Sequence, residues 1–175
     1  MKNLLQHLRE GDPRTLGKTD EVVRIMRNNQ KAFDEVFEGL FDEEYLVRLR
    51  AVNAIEKVAR SQREWLLPHK KKLLKSFSFF TKQPDLMKMQ VPPLYGYLAL
   101  EKKEVGKVTD QLNRWLMTEQ STFIKVGSLQ ALADISQQHP WLHDEVVSII
   151  QDEMVKGSAA IQARGRKLLK VLHKK

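Results

Sequence analysis

The sequence has no cysteine, which excludes a disulfide framework, a thiolate metal site and a thiol nucleophile, and suits a reducing, cytoplasmic setting. Long apolar runs are missing too. The longest stretch free of charge, Met89 to Leu100, is far short of the roughly 20 residues a membrane span needs, and it contains Pro92, Pro93 and Gly96. The opening MKNLLQHLREGD alternates charged with apolar residues and lacks the apolar core and small-residue cleavage site of a secretory signal. A soluble chain with no membrane partner is expected. There is no Gly-x-Ser-x-Gly turn to expose a nucleophilic serine. At 175 residues the chain suits a single domain, 1–175, able to bury most of its unfolded surface without staples, and a monomer is expected.

Charge is plentiful but unevenly placed. The net charge is +8, yet residues 1–64 hold 12 Lys/Arg and 12 Asp/Glu, whereas residues 65–175 hold 18 and 10. Asp34, Glu35, Glu38, Asp42, Glu43 and Glu44 form an acidic cluster, and no acid follows Glu153. Such a distribution bears on steering and solubility rather than on fold.

The organising stretch is LFDEEYLVRLRAVNAIEKVAR, residues 40–60. Val47, Ala51, Ala54, Ile55 and Val58 have the i, i+4, i+7, i+8, i+11 spacing of one helical face, with Arg50, Asn53, Lys57 and Arg60 opposite. Segments starting at Met87, Ile124 and Ile161 align with the one starting at Val47 without gaps, at intervals of 40, 37 and 37 residues. A large column then reads Val47, Met87, Ile124, Ile161, a small one Ala51, Val91, Ser128, Gly165, and a third Val58, Leu98, Ile135, Leu172. Short side chains recur where two helices must approach closely. A period near 40 with two helices per unit marks stacked helical hairpins, none able to bury its apolar face alone.

These residues resemble HEAT repeats of the armadillo type over roughly 15–173. Asp42 followed by Val47-Arg48 matches the family's acidic turn and Val-Arg start. Asp85 with Met87-Lys88 matches loosely, Glu119 with Ile124-Lys125 is degraded, and Ile161-Gln162 has neither feature. The resemblance implies an all-α fold, a right-handed α-solenoid of about four hairpins.

Along the chain, a helix is expected over 2–10, a second from an N-cap at Thr19 to about Asn28, and its hairpin partner over 31–41, burying Phe33, Val36, Phe37, Leu40 and Phe41. Pro68 suits the first position of the next helix, with Trp65 and Leu66 over its end. Pro92 and Pro93 predict a break near Val91. Helices are expected at 103–118, from Ile124, over 142–155 and from about Ala159.

Several motifs offer chemistry that their context does not support. GDPRTLGKT, residues 11–19, looks like a phosphate loop but has five residues between its glycines and a proline in place of an N–H donor. A turn explains it. His139 and His143 have i, i+4 spacing, but Pro140 begins the helix and leaves His139 off the shared face. Ser76 and Ser78 lie among Phe77, Phe79 and Phe80, as in core packing. HKKKLLK, residues 69–75, reads as a solvated helix face or as a phosphate-binding surface. No catalytic residue, cofactor or metal is expected.

The leading expectation is therefore a non-enzymatic scaffold binding a protein or peptide partner of acidic character. In stacked repeats the second helices line one face, usually the binding face. Here it comprises Arg50, Asn53, Lys57, Gln90, Tyr97, Gln130, Asp134, Arg164 and Lys167. The alternative is nucleic-acid binding, since the fold resembles that of alkylpurine DNA glycosylases. Trp65, Trp115 and Trp141 are present, but no Asp matches that family's catalytic aspartate.

Overall fold

The computed structural model describes residues 3–174, and all regular structure in them is helical. The expected helix start at residue 2 lies outside them. Its residues cluster in two compact units, Met1–His69 and Lys70–Lys175.

In the first unit, helix α1 (Leu4–Arg9) is capped by Asn3, whose side chain accepts the N–H of Gln6 at 3.2 Å. Helix α2 spans Thr19–Met26. Thr19 is not its cap: it is the first helical residue, buried, with its hydroxyl donating back to the carbonyl of Leu16. Helix α3 (Gln30–Glu38) is capped by Asn29, which accepts from Ala32 N–H at 3.2 Å, and passes into a 3₁₀ turn, Gly39–Phe41. Phe33, Val36, Phe37 and Leu40 are buried as expected, but Phe41 is only half-buried. Helix α4 (Tyr45–Ala59) packs against α1, α2 and α3 and sits at the centre of the unit. Pro68 does not open a helix: it lies inside a 3₁₀ run, Arg63–His69. That run closes the unit by setting Trp65 edge-on to Phe33 at 5.7 Å and stacking His69 on Phe37 at 3.9 Å.

The second unit begins with three short helices, α5 (Lys70–Lys75), α6 (Phe77–Thr81) and α7 (Asp85–Lys88). The chain breaks at Met89-Gln90 and restarts as α8 (Val91–Tyr97), with the prolines in its first turn. There a missing N–H costs nothing, because the first four donors of a helix have no intrahelical partner. The expected break is thus present, just before Val91. Helices α9 (Lys102–Thr118) and α10 (Thr122–Gln138) follow, then a 3₁₀ turn at Pro140–Leu142, α11 (His143–Lys156) and α12 (Ala159–Leu172). Helix α10 is the hub, packed against α8, α9, α11 and α12, and α11 packs on α12.

All three aligned columns are buried. The close approaches rest on small residues. A β-carbon on Gly96 of α8 would lie 2.9 Å from Ala131 Cα in α10, and one on Gly165 of α12 would collide with the Met154 side chain of α11. Two core polar groups are satisfied: Tyr95 donates to the carbonyl of Leu73 at 2.8 Å, and Trp115 Nε1 to Thr81 Oγ1 at 3.1 Å. Burial pushes the Tyr95 phenol well above its ordinary pKa. No helix among the described residues is long and apolar enough to cross a membrane.

Candidate partner-binding surface

The nine residues of the expected face have different fates. In the first unit, Arg50 is fully buried (0% exposed) and cannot meet a partner. Its guanidinium donates to the carbonyls of Leu8 and Glu10, each at 2.7 Å, Asp12 at 2.7 Å and Thr15 at 3.0 and 3.3 Å. The expectation failed because the loop between α1 and α2 folds over that side of α4. This loop contains the phosphate-loop lookalike, and its carbonyls converge on a cation, the opposite polarity to an anion cradle. Gly17 is required there: its φ is +51°, and a β-carbon would lie 2.7 Å from Arg50 Cζ.

Asn53 is half-buried, with Oδ1 shielded and without a hydrogen-bond partner. Lys57 is exposed and pairs with Asp20 at 2.9 Å, which holds the Asp20 carboxyl below its ordinary pKa. Much of the acidic cluster is also engaged within the unit. Arg9 pairs with Asp42 at 2.7 Å and Glu44 at 3.3 Å, Glu35 accepts the N–H of Leu4 at 2.7 Å, and Asp34 lies 2.7 Å from His69 Nε2.

In the second unit Tyr97 is buried rather than outward, because α8 is only two turns long and packed tightly on α10. Gln90 is half-buried in the break before α8. The remaining four residues lie on two helices that pack together. Arg164 of α12 donates to Gln130 Oε1 of α10 at 2.9 Å, and Gln130 Nε2 donates to Asp134 Oδ1 at 3.0 Å. All three are half-buried, while Lys167, three residues beyond Arg164, is exposed. The guanidinium is therefore positioned by a neutral amide, with further donors beyond the one used.

Trp115 is wholly buried. His139 caps the end of α10 with its ring 6.3 Å from that of Trp141, while His143 begins α11. Ser76 is buried and donates to the Lys72 carbonyl at 2.7 Å, whereas Ser78 is exposed. The lysines of HKKKLLK do not form one uniform face. Lys70 pairs with Glu104 at 2.9 Å and reaches the Ala99 carbonyl at 3.2 Å, while Lys71 and Lys75 border a cavity shared with Lys103 and Lys107. Two i, i+4 lysine pairs are visible in the sequence, but their meeting depends on how α5 packs near the start of α9. Comparison with protein-family models, characterised proteins and solved structures finds no match.

Proposed function

We propose that the chain is a non-enzymatic, HEAT-like binding module whose second unit receives a protein segment bearing acidic residues along α10 and α12. The repeat reading is supported by the burial of all twelve aligned column positions and by the packing of α10 against both α8 and α12, the helices the alignment makes its counterparts. The observation that carries the binding reading is the chain Arg164–Gln130–Asp134. It fixes a half-buried arginine on α12 before any ligand arrives, so little side-chain entropy is lost on binding. A carboxylate is the natural acceptor for the remaining guanidinium fork, and Lys167 adds a mobile second charge.

Peptide display against the whole protein tests the proposal. Selected sequences should be enriched in Asp and Glu. The double variant Arg164→Glu, Lys167→Glu should bind them at least about 30-fold more weakly, since like charges then face each other. Removing Lys71 and Lys72 as glutamines should leave that affinity nearly unchanged. Selected peptides without acidic residues, or a double variant with intact binding, would overturn the reading.

A further inference from the structure

A second surface of the same unit points to a different ligand. A cavity of about 240 Å³ is lined by Lys71, Leu74 and Lys75 of α5 and by Lys103, Glu104 and Lys107 of α9. Each helix contributes lysines at i and i+4, whose β-carbons lie roughly 5–6 Å apart on one face. The acids nearby are already engaged. Glu104 accepts Lys70 Nζ at 2.9 Å and the N–H of Glu101 at 2.8 Å, and these contacts hold its carboxyl below the ordinary range. Glu101 lies 2.9 Å from Lys103 Nζ. Lys107 sits over the Phe77 ring at 5.6 Å. Among the described residues no carboxylate pairs with Lys71, Lys75 or Lys107, so their charges face one small cavity uncompensated.

We propose that this cavity binds phosphate groups of a nucleic-acid strand. It is smaller than the roughly 300 to 1,000 Å³ of sites that enclose a drug-sized ligand, so it encloses no whole ligand, and its four lysines, all exposed, each meet a phosphate of a strand that runs across it. Lysines supply hydrated point charges on flexible stems rather than a planar fork, which suits a backbone phosphate read without base specificity. Exposed Lys102 extends the positive surface beyond the cavity. The one apolar lining residue, Leu74, is buried, so no lining side chain projects to enter a bilayer.

The test is fluorescence anisotropy of a labelled oligothymidylate of about 20 nucleotides, titrated with whole protein over a series of salt concentrations. Changing Lys71, Lys75, Lys103 and Lys107 to Gln should weaken binding at least about tenfold and flatten the slope of log K against log salt by about 2 to 3 units, at roughly 0.7 per phosphate on a single strand. An equal loss of charge from α12 and the chain end, Arg166, Lys167, Lys170 and Lys174 to Gln, should change the slope by less than about one unit. Circular dichroism establishes that the variants fold. Should the quadruple variant unfold, the pair Lys71→Gln, Lys107→Gln, which breaks no ion pair, should give about half the flattening. The proposal is overturned if wild type does not bind the strand, if the cavity variant that folds binds like wild type, or if both charge removals act equally. It is also overturned if wild type prefers phosphatidylserine vesicles to the strand.

Discussion

Arg50 shows most clearly how a single side chain can organise its surroundings. All five guanidinium hydrogen bonds go to main-chain carbonyls in the end of α1 and the loop that follows it, so removing the side chain strands buried acceptors as well as opening a void. Arg50→Met should destabilise the protein by more than about 3 kcal/mol. Arg50→Lys should recover only part of this, because an ammonium has three donors and no fork. Urea melts decide the point, and a loss below about 0.5 kcal/mol for the Met variant would show that the loop does not depend on the clamp. Charge reversal at Arg50 therefore probes folding, not partner binding. Glu104 makes a prediction in pH. Its folded pKa is depressed by the Glu101 N–H first and Lys70 next, so its contribution is present above the unfolded value of about 4.3 and is lost as pH falls through the lower folded value. Glu104→Gln should lower the melting temperature at neutral pH, and the gap to wild type should close in that acid window. A gap constant with pH would mean that the ionised carboxylate is not the source.

At the scale of helices, glycine has opposite meanings at two sites. Gly96 lets α8 touch the backbone of α10, whereas a β-carbon added at exposed Gly106 of α9 would meet nothing within 4 Å. Gly96→Ala should cost about 1 to 3 kcal/mol through forced separation of two helices, while Gly106→Ala should stabilise by about 0.5 to 1 kcal/mol by lowering the entropy of the unfolded chain. Denaturant midpoints in the reverse order would contradict the packing. The small column makes a parallel claim in α4. Ala51 is fully buried and faces the 3₁₀ turn, where a β-carbon on Gly39 would come within 3.0 Å of it. Ala51→Leu should destabilise by about 1 to 3 kcal/mol, while Asn53→Ala should stay within about 0.5 kcal/mol, since its shielded oxygen has no partner to lose.

At the scale of the whole chain, the charge excess falls entirely within one unit. Residues 1–69 carry equal numbers of acidic and basic side chains, and residues 70–175 carry the full +8. Each unit also has its own buried centre, around α4 in the first and α10 in the second. A fragment of residues 70–175 should therefore melt cooperatively by circular dichroism and bind a cation exchanger at neutral pH. A fragment of residues 1–69, close to the size at which isolated cores become marginal, should melt at lower temperature and pass through the exchanger. A non-cooperative 70–175 fragment would show that its core is incomplete without the rest of the chain.

Helical periodicity alone determined that the chain is all-α, where α4, α9, α10, α11 and α12 lie, and which positions form the buried columns, because a face repeating every 3.6 residues is a local property. The interruption at Pro92-Pro93 was equally local, since proline acts on its own turn. The face opposite each buried stripe was not legible. Whether it meets water depends on what folds over it, so the loop that encloses Arg50 and the packing that covers Tyr97 removed two residues from the expected surface. The same holds for charge. Local counting revealed a basic second half, but only packing decided that Lys70 would be bound by Glu104 while Lys71, Lys75, Lys103 and Lys107 would converge on one cavity. The placement of a side chain on its helix is set by bonded geometry over a few residues, and its partner is set by contacts between segments about 30 residues apart.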